Sequence, residues 1–509
     1  MKVTLISLSP DAWAPGPRIL SSCLKQEGHD VLLLFLKNKF TQDYSEKILD
    51  EVVELSKDSN LIGISLMTNF FYNAVQIIQR LKKNHNIPII MGGIHPTIRP
   101  EECLNYADIV CIGEGEESLV ELVNKMSNGT HYYDTQGLWF KVEDKIIKNQ
   151  SRPMVKDLDL IPFQDYDCEH HYMQSNGGLC QVDEGVLKEA LIGSYFAVYA
   201  FMTLPSRGCP FSCTYCSNNI LNSMYSNRSK VRKRSPGNII RELIDMRKKL
   251  PFIEMVWFDD DSFFTYTIDE ITDFSKQYKE NIGLPLCIGG ITPLTLTWEK
   301  LLPLVDGGLK FLRMGIETGC ERTRKLYKRN MSNQKVEQAV KIINEFKDKI
   351  MPNYDIILDN PWESEEDLIE TLMFLSKLPT PYILQLYSLC FFPETELYRK
   401  AKNDGIIVDD KEDVYLNSFS GYKKNYINNL FALLSYYASE RNGISPKIMS
   451  LLTNQKIRQI GLHKLFYFML KCPRYKSLVS KGLKDIQKGD WTRIRKYTKK
   501  IMNVSSYIF

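Results

Sequence analysis

The chain has 509 residues, 44% of them hydrophobic, with a formal net charge of +4. That length and composition bury large cores and divide into two or three domains, which excludes a disordered polyelectrolyte and a small disulfide scaffold. No apolar run is long enough to span a bilayer, and the opening MKVTLISLSPDAWAPG reads as a strand and a Pro/Gly loop rather than a signal peptide. The twelve cysteines are scattered, not spaced as a disulfide framework, which fits a reducing, cytoplasmic setting.

The first 130 or so residues alternate between short apolar strands (Val3 to Leu8, Val31 to Leu36, Leu61 to Leu66, Ile87 to Met91, Ile109 to Ile112) and amphipathic helices. This pattern predicts a doubly wound parallel sheet covered on both faces. Ligands of such sheets bind at the carboxyl ends of the strands. The loops there are Ser65-Leu66-Met67-Thr68, Gly92-Gly93-Ile94-His95-Pro96-Thr97 and Gly113-Glu114-Gly115-Glu116. A glycine pair after a strand serves packing as often as ligand approach.

Residues 130 to 200 read as a connector. It holds a small hairpin (Leu138-Trp139-Phe140, then Lys145-Ile146-Ile147), the linker-like string Lys156 to Phe163, and an irregular stretch from Cys168 to Glu189. Its His170-His171 pair is expected on a solvated loop.

The most informative string is Ser206-Arg207-Gly208-Cys209-Pro210-Phe211-Ser212-Cys213-Thr214-Tyr215-Cys216-Ser217. Its C-x3-C-x2-C spacing lets three thiolates hold three irons of a [4Fe–4S] cluster and leave the fourth open. Pure electron-transfer clusters use four thiolates, and a zinc site would need a second pair or histidines nearby. Gly208, Pro210 and the small polar residues make this a loop rather than a core strand.

Beyond it the βα alternation resumes, with strands predicted at Ala200 to Pro205, Ile253 to Phe258, Leu286 to Gly289, Phe311 to Ile316, Tyr354 to Leu358 and Tyr382 to Leu389. Chemistry in a barrel gathers at the carboxyl ends of its strands. Asp259-Asp260-Asp261 stands at one such end, where three adjacent carboxylates need cations or donors, and one of them can serve as a helix cap. Glu317, in Met314-Gly315-Ile316-Glu317-Thr318-Gly319, stands at another. Arg232 and Arg234 could meet a carboxylate or phosphate, although such runs commonly form a solvated face. Past residue 410 the chain reads as helical, and residues 454 to 509 hold fourteen Lys/Arg against two Asp/Glu. That local net charge of +12 suits a helical cap with a solvated basic face, an anionic membrane surface or an acidic ligand. No RNA-binding module is evident, so a nucleic-acid partner is not expected.

These strings resemble the radical S-adenosylmethionine (SAM) superfamily, in its subclass with an N-terminal cobalamin-binding domain (class B methyltransferase-like). The GGIHPT and ADIVCIGEGEESL strings carry the cobalamin half, and the cysteine loop and G-I-E-T-G carry the radical half. The resemblance implies an α/β fold in four parts. These are a Rossmann-like cobalamin-binding domain (1–135), a linker (136–195), a partial (β/α)6 TIM-like radical SAM barrel (196–410) and a helical basic C-terminal region (411–509). It implies Cys209, Cys213 and Cys216 as cluster ligands, with Tyr215, Asp260, Asp261 and Glu317 as SAM contacts. Around cobalamin it places Ser65, Thr68, Gly92, Gly93, His95, Gly113, Glu114 and Gly115. The D-x-H-x-x-G string of cobalt-ligating domains is absent, so His95 is not assigned to cobalt. Two family glycines are replaced after the fifth barrel strand, which marks Asp359 and Trp362 as substrate-pocket candidates.

By the same resemblance the enzyme would cleave SAM reductively to a 5′-deoxyadenosyl radical and transfer a methyl group to an unactivated carbon of a metabolite or lipid. The scaffold also supports a cyclase, oxidase or ring-rearranging outcome without methyl transfer, and a non-catalytic cofactor-binding protein is the outlying alternative. An external electron donor such as flavodoxin or ferredoxin is implied, and peripheral membrane contact through the basic C-terminus is open.

Overall fold

The computed structural model describes residues 1–9, 12–192, 198–225 and 231–459. Most of the basic stretch 454–509 therefore lies outside the described residues. Five parallel strands open the chain: β1 (Lys2–Leu8), β2 (Asp30–Leu36), β3 (Leu61–Ser65), β4 (Ile89–Gly92) and β5 (Ile109–Cys111), in the order 2-1-3-4-5. β2 is apolar and buried after its first residue, as expected of a strand covered on both faces. The helices Pro15–Gln26 and Glu116–Ser127 pack together, as do Glu46–Ser56 and Phe71–Asn84, and the two pairs feed separate apolar cores. In this strand order the switch point falls between β1 and β3.

The connector is more ordered than its sequence suggests. Its first hairpin, β6 (Leu138–Val142) and β7 (Lys145–Lys148), adds antiparallel to β5; a second, β8 (His171–Ser175) and β9 (Gly178–Gln181), adds at the β2 edge. The sheet thus has nine strands. His171, expected on a solvated loop, instead lies buried in β8 with its Nε2 3.1 Å from Asp165 Oδ2. Asp165 also meets Lys25 Nζ at 2.8 Å and accepts from Ser21 Oγ at 2.6 Å. Arg18 donates to the Asp165 carbonyl at 2.7 Å, its guanidinium sandwiched between Phe35 and Tyr166. Burial alone would raise the Asp165 pKa; the bonds from His171, Lys25 and Ser21 hold it far below the usual carboxylate range. Burial lowers the His171 pKa despite that carboxylate. The second hairpin, too short to show a long alternation, carries His171 of a buried ionic network the sequence does not advertise.

The second sheet holds six parallel strands in chain order: β10 (Ala200–Thr203), then β13 (Met255–Phe258), β14 (Leu286–Ile291), β15 (Leu309–Glu317), β16 (Met351–Leu358) and β17 (Ile383–Ser388). Between β10 and β13 a two-stranded ribbon, β11 (Ser206–Arg207) with β12 (Arg232–Lys233), frames the cysteine loop. This is the open, partial barrel expected. The helix Tyr426–Ser439 packs on β17, burying Leu430, Phe431, Leu433 and Leu434. Residues 394–417 turn back to the first domain, where Tyr398, Val414 and Tyr415 join the core around Phe71. Arg99 donates to Tyr398 Oη at 2.6 Å, and Tyr415 Oη donates to Glu102 at 2.7 Å. No helix among the described residues is long and apolar enough to cross a membrane.

Asp165→Ala removes the anion that Lys25 and His171 share, and is expected to cost about 3–5 kcal/mol of stability, read as a lower urea midpoint. In the intact protein stability is expected to decline as pH falls below about 6.5. There the unfolded chain protonates a histidine that the fold keeps neutral, and at lower pH the depressed Asp165 carboxylate is neutralised. A midpoint unmoved by the substitution would contradict this account.

Candidate functional site

The three cysteines sit where β11 releases the chain into a loop. Gly208 turns out of the strand at φ +91°, and its carbonyl accepts from Ser262 Oγ at 2.8 Å. Asn222 holds the Cys209 carbonyl at 2.8 Å, while Thr214 bonds the Tyr327 and Leu326 carbonyls at 3.2 and 2.8 Å. Cys213 is buried, and Cys209 and Cys216 are half-buried. Burial pushes the Cys209 thiol up to about 11 and the Cys216 thiol up to about 12, with Asp261 and the neighbouring thiols adding to both shifts. Three crowded thiols beside a carboxylate favour deprotonation only when a cation joins them. An iron cluster meets that need.

At the β13 end the three carboxylates take different roles. Asp260 is buried and accepts from Ser206 N (2.6 Å), Ser206 Oγ (2.7 Å) and Ser262 N (2.7 Å). Burial raises its pKa to about 6 against those bonds. Its expected SAM contact is therefore corrected to a structural part: both oxygens are committed to the chain. Asp261 is exposed at the barrel mouth, against Asn218 and close to the cluster thiols. Asp259 is also exposed and faces Arg313. Gly290 explains why no side chain fits at the neighbouring strand end. It sits at φ +65°, and a Cβ there would overlap the Asp260 carbonyl.

Glu317 ends β15 in the left-handed region, at φ +67°, after an irregularity at Gly315. Burial pushes its carboxyl up to about 7; Arg329, with Nη2 3.8 Å away, pulls the other way, as does the Tyr215 hydroxyl. Tyr215 stacks edge-on against Tyr327 at 5.1 Å. Arg329 also bonds the Gly315 carbonyl and reaches Cys213 Sγ at 3.8 Å. Arg329 thus joins the cysteine loop to the β15 end, yet within Lys328-Arg329-Asn330 it reads as part of a solvated basic turn.

The first domain holds a cavity of about 210 Å³ at the carboxyl ends of β1, β3, β4 and β5. Ser65, Gly92, Gly93, Gly113, Glu114 and Gly115 line it, and so do Cys111 and Arg207. Gly93, at φ +109°, lies so close to Leu66 that a Cβ would strike the Leu66 carbonyl. A glycine-edged slot at the switch point suits one planar group of cobalamin, not the whole corrin. Two expected contacts lie elsewhere. Thr68 is buried in the turn Thr68–Phe70 and does not line the cavity. His95 is fully buried against Phe71 (4.6 Å) and Tyr415 (5.2 Å), and burial lowers its pKa to about 3. Its ring is turned into the core, with Nε2 3.7 Å from Glu102 Oε2.

Arg232 and Arg234 are not on a solvated face. Arg232 grips Glu114 at 2.7 and 2.9 Å, and Arg234 pairs with buried Glu242 at 2.6 Å. The pocket candidates are also corrected. Asp359 accepts from Ser388 Oγ, Lys423 N and Asn428 Nδ2 at 2.8–2.9 Å, anchoring the chain beyond the barrel. Trp362 packs on Phe391 and donates to Asp404 at 2.7 Å. The bulk that replaces the family glycines serves packing.

Cys209→Ala, Cys213→Ala and Cys216→Ala are each expected to lose the cluster after reconstitution, read by iron content and visible absorbance. Asp261→Asn is expected to keep the cluster and weaken SAM binding, whereas Asp260→Ala should loosen the loop and lose iron. Retention of a full cluster in any cysteine variant overturns the ligand set. His95→Phe keeps an aromatic ring in the nest, and the paramagnetic spectrum of bound Co(II) cobalamin is expected to be unchanged. A nitrogen splitting that vanishes in this variant would contradict the placement of His95.

Two family models match the chain: B12 binding domain over residues 1–123 and Radical SAM superfamily over residues 203–375. An uncharacterized methyltransferase of Pyrococcus horikoshii is 26% identical over 398 residues, covering 77% of this chain and 79% of that protein. The anaerobic magnesium-protoporphyrin IX monomethyl ester cyclase of Rubrivivax gelatinosus is 25% identical over 384 residues, covering 71% of this chain and 61% of the cyclase. Among solved structures, the radical S-adenosylmethionine methyltransferase TsrM from Kitasatospora setae, with cobalamin and a [4Fe-4S] cluster bound, superposes with a TM-score of 0.62. It is 16% identical, covering 80% of this chain and 78% of that one. With a glycine-edged cavity in the first domain and a three-cysteine loop at the mouth of the second, the chain joins a B12 binding domain to a radical SAM domain.

Proposed function

We propose that the enzyme transfers a methyl group from one SAM to an unactivated carbon of a small-molecule substrate, whose hydrogen atom leaves as the C–H of 5′-deoxyadenosine formed from a second SAM. The observation that carries this reading is the meeting of the two sites. Arg207, two residues before Cys209, lines the cavity of the first domain, so the residues that would hold a methyl carrier and those that would hold a radical source adjoin. Methyltransferase names among the relatives support it. When bound, the cluster supplies the electron that cleaves SAM, and cobalamin supplies the methyl-carrying chemistry. The chain's own part is to bind and orient. Cys209, Cys213 and Cys216 would hold the cluster, Tyr215 would pack beside the SAM adenine, and Asp261 would accept the SAM ammonium. Glu317, near neutrality in its pKa, would hold or release a proton at the mouth while Arg329 steadies it.

An external donor such as flavodoxin or ferredoxin would deliver electrons. The dispersed cysteines of the sequence and an oxygen-sensitive cluster fit a reducing, cytoplasmic setting. Contact of the basic stretch 454–509 with an anionic surface is a separate proposal resting on its charge, read by flotation on anionic against neutral vesicles. The cyclase relative supports a second reading, a radical oxidation or cyclisation with no methyl delivered.

Anaerobic turnover with methyl-labelled SAM, offered candidate metabolites, separates the readings. Label in the product together with 5′-deoxyadenosine is expected. Deoxyadenosine with an unlabelled, altered product would favour the cyclase-like outcome.

A further inference from the structure

The turn Gly113–Glu116 walls the cavity of the first domain, and the segment carrying the cysteines braces it from three sides. Arg207, on β11, donates from Nη1 to Glu114 Oε1 at 3.1 Å and from Nη2 to Glu116 Oε1 at 2.5 Å. Arg232, directly opposite Arg207 in the ribbon, reaches both Glu114 oxygens at 2.9 and 2.7 Å. Tyr225 closes the helix Ser217–Met224, which begins immediately after Cys216, and its hydroxyl lies where a Cβ on Gly113 would stand. The linker joins too, as Val155 N donates to Glu114 at 3.0 Å. The Glu114 carboxylate therefore takes four hydrogen bonds. Burial would raise its pKa, but the two arginines hold it down.

This arrangement does more than glue two domains. Forked guanidinium–carboxylate bonds fix angle as well as distance. A displacement of the cysteine loop moves β11 and β12 together, and Glu114 must follow. Its neighbours Gly113 and Gly115 form the cavity wall. Without Glu114, Arg232 would lose its carboxylate and stand beside Arg207, which would keep only Glu116, so Glu114 is what holds the two arginines in register.

Resting on the reading that the loop holds the cluster and the cavity holds part of cobalamin, we propose that the Arg207–Glu114–Arg232 brace couples the two cofactor sites. Cluster assembly orders the loop and tightens the cavity for cobalamin, and cobalamin in turn steadies the loop, as reciprocity of binding requires. Arg207, Glu114 and Arg232 act here as positioning residues.

The test is a titration of hydroxocobalamin into the full chain before and after iron–sulfur reconstitution, followed by quenching of tryptophan fluorescence. Reconstitution is expected to tighten binding roughly fivefold or more, a typical coupling between linked sites. In Glu114→Gln and in Arg232→Gln the two affinities should converge to within about twofold, a change too small for a coupling of that size. Iron content and far-ultraviolet circular dichroism should match the wild type, and a variant that fails them is read through the other. Equal affinities in the two wild-type forms, or coupling that survives both substitutions, overturn the proposal alone. Absence of binding in every form overturns the assignment of the cavity, and the proposal with it.

Discussion

A single buried carboxylate organises the barrel mouth. Asp260 ties the β13 end to Ser206 at the start of the ribbon and to Ser262 in its own turn, and Ser262 holds Gly208 at the root of the cysteine loop. Charge-assisted bonds of this kind are stronger than neutral ones, and each donor lost would leave a buried anion under-solvated. The loop that must present three thiols in one geometry is thus anchored to strand ends rather than hanging from them. The same economy appears at β14, where Gly290 gives up its side chain so that the Asp260 backbone can pass.

The two domains share apolar packing, with Trp13 against Trp257 and Tyr415 against Phe71, and polar networks pin that contact at two places. Glu114 with Arg207 and Arg232 joins them beside the cavity, while Arg99 with Tyr398, Glu394 and Asp410 joins them on the far side. An apolar interface tolerates sliding, because its energy depends on area. Forked ionic bonds do not, so they fix the angle between the cavity and the cysteine loop. The chain after the barrel closes this second contact, with Tyr415 filling the first domain's core next to His95.

Motif-level chemistry was readable because it depends on local spacing. Cysteines in C-x3-C-x2-C occupy one loop whatever surrounds them, and glycines after apolar strands mark backbone exposed at the carboxyl ends of a sheet. Six of the residues expected around cobalamin line one cavity of the first domain. Side-chain direction was not readable. His95 follows two of those glycines in sequence, yet its ring turns into the core, because the short helix Ile94–Ile98 that begins there rotates it inward. Arg232 and Arg329 sit in basic runs that look solvated, and acquire meaning only from Glu114, Glu317 and Cys213, more than ten residues away.

The sequence by itself determined the βα order, the doubly wound sheet followed by a partial barrel, and the three thiols in one loop, since each follows from periodicity or spacing along the chain. Tertiary structure alone decided which of three adjacent aspartates is structural. It tied the connector's second hairpin to the first sheet through Asp165 and His171, and it turned Asp359 and Trp362 into anchors. The physical reason is common to all of these. A charged or aromatic side chain takes its role from the partners that desolvate or neutralise it, and those partners arrive only when distant strand ends are brought together.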